Sequence, residues 1–346
     1  MRRVVTGLAL VAGIVAAAHA SVPATDAAAG PRIVAIGDVH GAVTEFAAML
    51  QRAGLIGPDR RWTGGNGILV QTGDVTDRGT GMREALDLLM ALEPQAQKAR
   101  GRVHMLLGNH EVMNMLGQLR DATPEIFATF GGEAAMREAF GPKGRYGQWL
   151  RRKPIITVLD GTIFMHAGIN PAFTEESIDE LNRRARRDIE AWDAGIRVMV
   201  GRKLVPESPA FVQAIDAARA EIERINALHA QGKTPPDAAE VATFLLPVAN
   251  VVSSSLFHAD GPLWFRGFSS WSDEEGEPQV AKLLGRHRAK RFVTGHSVQA
   301  EGRIRERFGQ RLFLIDTGML GGKYFPGGQP SALEFAAEAI RPIYLQ

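Results

Sequence analysis

Five short stretches of this 346-residue chain carry side chains able to hold cations and move protons, and each closes an apolar run. They are Asp38 and His40 in Gly37-Asp38-Val39-His40-Gly41, and Asp74, Asp77 and Arg78 in Gly73-Asp74-Val75-Thr76-Asp77-Arg78-Gly79. Asn109 and His110 stand in Gly108-Asn109-His110-Glu111, His166 in His166-Ala167-Gly168, and His296 in Gly295-His296-Ser297. Four of the nine histidines fall at such ends, each beside a glycine turn, which is more than isolated capping histidines explain. Imidazole, carboxylate and amide oxygen form the ligand set of borderline divalent ions such as Mn, Fe or Zn. The stretch at Asp74 packs two carboxylates and a guanidinium into five residues. Close carboxylates repel unless cations separate them. Asp74 therefore reads as a bridge between two metal ions and Arg78 as a holder of phosphate. The alternative for this stretch is a polar turn closed by an Asp77–Arg78 ion pair.

These residues need strands to carry them. Arg32–Ile36, Ile68–Val70 and Arg102–Leu107 read as buried strands. Between them Phe46, Met49 and Leu50 recur at helical spacing, and Met82 to Leu92 forms a second helix-like segment. A β-α-β-α-β start predicts a sheet covered by helices, with functional loops at the carboxyl ends of parallel strands. From Met115 to Leu150 helical patches are broken by Gly131-Gly132 and Gly141-Pro142. Ile155–Leu159 and Thr162–Met165 read as strands joined at Asp160-Gly161. Glu175 to about Ala242 is charged and helical in period, an insertion whose Arg183-Arg184-Ala185-Arg186-Arg187 run reads as a solvated face. Arg291–Thr294 and Leu312–Ile315 are further strands, and Ala332–Leu345 suggests a terminal hairpin.

Bulk properties exclude several classes. With 45% hydrophobic and 23% charged residues the chain is ordinary globular material. A formal charge of +2, without basic runs interleaved with aromatics, gives no nucleic-acid groove. Cysteine is absent, which removes disulfides, thiolate catalysis and cysteine-ligated metal. Arg2-Arg3, the apolar run Val4–Ala18 and Ala18-His19-Ala20 read as a signal peptide over residues 1–20, cleaved before Ser21. A run of this length is short for a bilayer core of about 30 Å. The expectation is a periplasmic or secreted protein with no stable membrane span after cleavage. Residues 21–31 would be a flexible lead-in, and 32–346 one catalytic domain with the helical insertion at about 174–258.

The ordered motif series from residue 37 to residue 297 resembles the calcineurin-like metallophosphoesterases. Its Asp-Arg-Gly and Asn-His-Glu forms resemble the phosphoprotein phosphatase branch. Val298 stands where many of the wider superfamily carry a second histidine after Gly-His. The Ser-Ala-Pro-Asn-Tyr segment of the eukaryotic serine/threonine enzymes is replaced by Ile315-Asp316-Thr317-Gly318-Met319, with Tyr324 nearby. Together with Tyr146-Gly147-Gln148-Trp149-Leu150-Arg151, this is similar to the bacterial Shewanella-like phosphatases, several of which favour phosphotyrosine. His166-Ala167-Gly168 replaces their usual His-Gly-Gly.

The resemblance implies an α/β fold, a β-sandwich of two mixed sheets flanked by helices. It implies that Asp38, His40 and Asp74 hold one metal, and that Asp74, Asn109, His166 and His296 hold the other. Mn, Fe or Zn would serve, with Mn expected in vitro. Arg78 and Arg266 would clamp phosphate, with Asn109 and Tyr324 also contacting substrate. His110, oriented by Asp77, would protonate the leaving oxygen. A loop arginine packed on Trp264 is the alternative for Arg266. The implied activity is a two-metal phosphomonoesterase using a metal-bound hydroxide, acting on a phosphorylated protein or small phosphoester with a lean to phosphotyrosine or aryl phosphates. A nucleotide or dinucleoside polyphosphate hydrolase is the alternative on the same scaffold. A non-catalytic metal-binding module is more remote, since it could dispense with His110 and Arg78.

Overall fold

The computed structural model of the protein describes residues 30–337 and 339–345; the expected signal segment lies outside them. Strand β1 (Ile33–Ile36), helix α1 (Val43–Arg52), β2 (Ile68–Gln71), α2 (Met82–Lys98) and β3 (Arg102–Met105) form the opening unit. Four short helices follow: α3 (Asn109–Met115), α4 (Pro124–Phe130), α5 (Glu133–Phe140) and α6 (Arg145–Leu150). The hairpin β4 (Ile156–Leu159) and β5 (Thr162–Met165) turns at Asp160 and Gly161, both at positive φ. Then come α7 (Ile178–Gly201), α8 (Phe211–Ala230), α9 (Ala238–Ala249), α10 (Gly267–Ser270) and α11 (Asp273–His287). Strands β6 (Arg291–Thr294), β7 (Arg305–Arg307), β8 (Leu312–Leu314), β9 (Ser331–Ala336) and β10 (Ala339–Tyr344) complete the chain.

The strands form two five-stranded sheets, ordered β10-β9-β1-β2-β3 and β4-β5-β6-β8-β7. Each is mixed: β1, β2 and β3 run parallel in the first, and β5, β6 and β8 in the second. Antiparallel strands flank them. The alternation along β1 explains its unbroken apolar sequence. Ile33 and Ala35 face the second sheet, among Val70, Phe164, Val293 and Phe313. Val34 and Ile36 face the helix layer, among Phe46, Leu50 and Leu86. A strand buried on both faces reads as a continuous apolar run rather than an alternating one.

Helix α2 continues past the expected end at Leu92 and through Pro94 to Lys98. Proline removes one donor, but Leu92 and Ala96, one turn apart, remain buried on the same face and hold the axis. In α7 the arginine run is amphipathic: Leu181, Ala185 and Ile189 are buried, while Arg183, Arg186 and Arg187 are exposed. Arg151 forms two hydrogen bonds to Asp193, of 2.7 and 2.9 Å, and so ties α6 to α7. Among the described residues no helix is long and apolar enough to cross a membrane.

Glu334 on β9 is buried and pairs with both Arg32 and Arg341, fastening β9 to the base of β1. Burial raises its pKa, but the two arginines outweigh that and hold the carboxyl below its ordinary range. A depressed carboxylate adds stability above its unfolded pKa of about 4.3, and loses it as pH falls through the folded value. Both arginines are partly exposed, so Glu334→Gln should cost about 1 kcal/mol at pH 7. Urea melts of the two proteins should converge in acid; a gap that persists at pH 3 would mean that packing, not charge, is responsible.

Candidate active site

The carboxyl ends of β1, β2 and β3 from one sheet, and of β5 and β6 from the other, meet at one edge of the sandwich. The loops there are pressed together by backbone hydrogen bonds. Val39 N and His40 N both donate to Asp74 O at 2.9 Å, and Gly79 N donates to His40 O at 3.0 Å. Two glycines make room for carboxylates. A Cβ on Gly108 would sit 2.1 Å from Asp74 Oδ1, and one on Gly295 would sit 2.2 Å from Asp38 Oδ1. Five of the candidate residues, His40, Asp74, Asp77, Arg78 and His296, have φ between +45° and +68°. Such backbone is strained for side-chain-bearing residues and persists only where surrounding contacts over-determine it.

Glu111 supplies much of that determination. Its buried carboxylate accepts from Asp74 N (2.8 Å), Val75 N (2.9 Å), Thr76 N (3.1 Å), Thr76 Oγ1 (3.0 Å) and Gly108 N (2.9 Å). It moulds the β2 loop without itself facing the site.

The three candidate histidine ligands are oriented alike. Each places one ring nitrogen on a backbone carbonyl: His40 Nδ1 on Thr76 O (2.9 Å), His166 Nδ1 on Thr72 O (3.0 Å) and His296 Nε2 on Trp264 O (3.1 Å). A carbonyl only accepts, so that nitrogen carries the proton and the other presents a lone pair inward. The inward atoms gather around Asp74. His166 Nε2 lies 3.3 Å from Asp74 Oδ2, 2.9 Å from Asn109 Oδ1 and 3.1 Å from His296 Nδ1. His40 Nε2 lies 3.7 Å from Asp74 Oδ2 and 3.9 Å from Asp38 Oδ2. Asp74 thus belongs to two clusters of potential ligand atoms, one with His40 and His110 and one with His166 and His296. Lone pairs face lone pairs throughout, an arrangement that repels itself unless a cation intervenes.

The carboxylates repeat the point. Asp38, Asp74 and Asp316 are all buried. Burial raises the pKa of Asp38 well above the ordinary range, and the charges of Asp316 and Asp74 push it further. Burial likewise lifts Asp316 to about 6. Burial disfavours the charged form of two of the imidazoles, lowering His40 to about 3 and His296 well below the usual value. Neutral imidazoles and crowded carboxylates, without thiolates, fit divalent cations of the borderline class.

His110 differs from the other histidines. Its Nδ1 bonds Asp77 Oδ2 at 2.7 Å, its backbone N donates to Asp74 Oδ1 at 3.1 Å, and its Nε2 points toward Asp74 Oδ2 at 3.8 Å. Burial pulls its pKa down, but the carboxylates of Asp74 and Asp77 outweigh that and raise it to about 9. Its shift is thus opposite in direction to those of His40 and His296. Asn114 holds the dyad, donating to Asp77 Oδ2 (3.0 Å) and to His110 O (2.9 Å). Asp77 is thus engaged by His110 and Asn114 rather than by Arg78, whose Nη2 lies 3.4 Å from His110 Nε2.

Arg266 is exposed and donates to His296 O (3.1 Å) and Ser297 Oγ (3.2 Å); the arginine lying over Trp264 is Arg120, at 5.8 Å. Tyr324 is half-buried in a groove of about 610 Å³ that Arg78, Thr123, Leu320 and Lys323 also line, and its ring carries the Lys323 ammonium at 5.0 Å. Val298 is 39% exposed, so the missing second histidine leaves an open rim position rather than a buried one. Sequence reasoning did not single out Glu111, Asn114 or the carbonyls of Thr72, Thr76 and Trp264. Glu111 and Asn114 lie three and six residues after Gly108, where a buried acid and amide could have drawn notice; backbone carbonyls carry no such signal.

A family described as Calcineurin-like phosphoesterase matches residues 31–300. An uncharacterized protein of Schizosaccharomyces pombe is 30% identical over 83% of this chain and 73% of its own length. Shewanella-like protein phosphatase 1 of Plasmodium berghei is 27% identical over 83% of this chain and 67% of its own. Among solved structures, a cold-active protein-tyrosine phosphatase of a psychrophilic Shewanella species shares the fold, with a TM-score of 0.63 and 23% identity over 91% of this chain and 80% of that one.

Proposed function

The chain belongs to the calcineurin-like phosphoesterase family and is a metal-dependent phosphatase, and from that premise we propose that it is a two-metal phosphomonoesterase acting on phosphorylated protein, with a preference for phosphotyrosine and other aryl phosphates. The observation that carries the phosphomonoesterase reading is the Asp77–His110 dyad, an imidazole bonded to a carboxylate and set beside Arg78 at the edge of the Asp74 cluster. The name of the Plasmodium relative supports phosphorylated protein as the substrate, and the lean to phosphotyrosine rests on the resemblance and on the name of the Shewanella neighbour that shares the fold.

Asp38, His40 and Asp74 would hold one ion, and Asp74, Asn109, His166 and His296 the other. When bound, the two cations would neutralise phosphate oxygens and acidify a water at the site, with Mn the ion expected in vitro. The remaining work falls to the protein's own groups. Arg78 and Arg266 present planar guanidinium edges that match two phosphate oxygens at once. His110 gives the proton on Nε2 to the departing ester oxygen as the P–O bond breaks, and Asp77 stabilises the ring while it is charged.

Initial rates on phosphotyrosine, phosphoserine and diadenosine tetraphosphate with the Mn-loaded protein test the substrate class. The highest kcat/KM is expected on phosphotyrosine; a preference for the dinucleotide would replace this reading with the polyphosphate hydrolase. For the clamp, Arg78→Ala should lose about 2–4 kcal/mol of transition-state binding, the scale of one electrostatic stabiliser. Its metal content should stay near wild type, because guanidinium is no ligand. Normal kcat/KM in this variant would exclude Arg78 from the phosphate position.

Export to the periplasm or medium belongs to the same proposal and rests on Arg2-Arg3, the Val4–Ala18 run and Ala18-His19-Ala20. Expressed in a bacterium, the mature chain should begin near Ser21 and fractionate outside the cytoplasmic membrane. A cytosolic product that retains Met1 would falsify it.

A further inference from the structure

A glycine-rich loop joins β8 to β9, and its base is closed by Gln329 N donating to Thr317 O at 3.0 Å and Thr317 Oγ1 donating to Gln329 O at 2.7 Å. Its tip folds back on itself: Phe325 N donates to Gly321 O at 3.2 Å and Gly328 N donates to Phe325 O at 2.9 Å. Gly318 stands at φ +69°, and a Cβ there would lie 2.8 Å from Phe325 Cβ, so the loop closes directly on that residue. The loop thereby delivers the Phe325 ring into the active-site mouth. The ring stacks on the His40 imidazole, with centroids 5.7 Å apart and planes 26° from parallel. His40 is itself fixed by the Thr76 carbonyl. The Arg78 guanidinium carbon lies 5.1 Å from the centroid of the same phenyl ring.

The neighbouring carboxylates are otherwise occupied: Asp77 by His110 and Asn114, Asp74 by the histidine cluster. Among the described residues Arg78 forms no ion pair. A carboxylate partner would consume two of the five guanidinium N–H groups and cancel the charge. An aromatic face attracts the cation through its quadrupole and leaves the in-plane N–H edge free. It also restricts a side chain that carries about 2 kcal/mol of rotamer entropy, so less is lost when phosphate binds.

We propose that Phe325 is a positioning residue for Arg78: its ring, steadied by His40, holds the guanidinium with its hydrogen-bonding edge open to phosphate. The inference rests on the reading of Arg78 as a phosphate clamp. The test is calorimetric titration of inorganic phosphate into the Mn-loaded full chain, comparing Phe325→Leu, Phe325→Met and Phe325→Tyr, each with Arg78 present and with Arg78→Ala. Leu and Met keep apolar bulk without a ring face, and should weaken phosphate by about tenfold, the scale of one partly desolvated cation–π contact. Tyr keeps the face and should stay within about twofold of wild type. In the Arg78→Ala background Leu and Met should cause no further loss. Wild-type affinity in both Leu and Met variants, or the same loss with Arg78 absent, overturns the role of Phe325 while the clamp stands. Unchanged affinity in Arg78→Ala alone overturns the clamp and this inference with it.

Discussion

Asp74→Asn should empty both metal positions at once and reduce kcat/KM by about 10³-fold or more, since metal ions contribute several kcal/mol of charge stabilisation in such sites. The expectation follows from the place of one oxygen. Asp74 Oδ2 lies 3.3 Å from His166 Nε2, 3.7 Å from His40 Nε2 and 3.8 Å from His110 Nε2, so it is common to both ligand clusters. An amide of the same shape keeps the backbone contacts of the loop but withdraws the charge that two cations would share. The replacement should also remove the thermal stabilisation that Mn gives the wild-type protein, which by mass action is about 2.7 kcal/mol at a hundred times Kd. Metal analysis and melting curves with and without Mn are the measurements. Two retained equivalents of metal with normal turnover would show that Asp74 bridges nothing.

His110→Asn should keep the metal and slow every substrate, but unequally. A phenol has a pKa of about 10, so an aryl phosphate departs with little protonation, whereas a serine alkoxide is far more basic. The loss should be small for aryl phosphates and approach the full general-acid term of about 10²–10⁴-fold for phosphoserine. The geometry behind this is the 2.7 Å bond from His110 Nδ1 to Asp77, which orients the ring and stabilises it while Nε2 carries a proton. A plot of log kcat against leaving-group pKa should steepen in the variant. A uniform loss with unchanged slope would assign His110 to packing.

The sequence made the strand ends legible because four of the five apolar runs lead into a glycine followed by a ligand-type residue, and the fifth leads directly into His166. Burial on both faces, as at Ile33 and Val34, leaves such runs unmistakable. Less was legible where space rather than sequence decides contacts. The arginine over Trp264 is Arg120, distant in sequence, and not Arg266, its neighbour two residues on. Strand β7 is three residues at a sheet edge, two of them exposed and all charged, and offers no apolar signal. Helix α11 contains Pro278 and only four buried positions. The carbonyls that orient the three histidines belong to loops whose path depends on the Glu111 carboxylate, a long-range contact that periodicity cannot show.

Strands β5 and β6 lie side by side in register, Thr162 opposite Arg291 and Met165 opposite Thr294. His166 and His296 leave the sheet at the same level as a result. Everything from residue 166 to residue 290, including α7, α8 and α9, leaves from the carboxyl end of β5 and returns to the amino end of its parallel neighbour β6. The length and shape of that excursion do not enter the distance between the two histidines. Such a scaffold can acquire, lose or remodel a whole helical bundle beside its catalytic edge while the chemistry stays in register, leaving the bundle free to diversify toward new recognition surfaces.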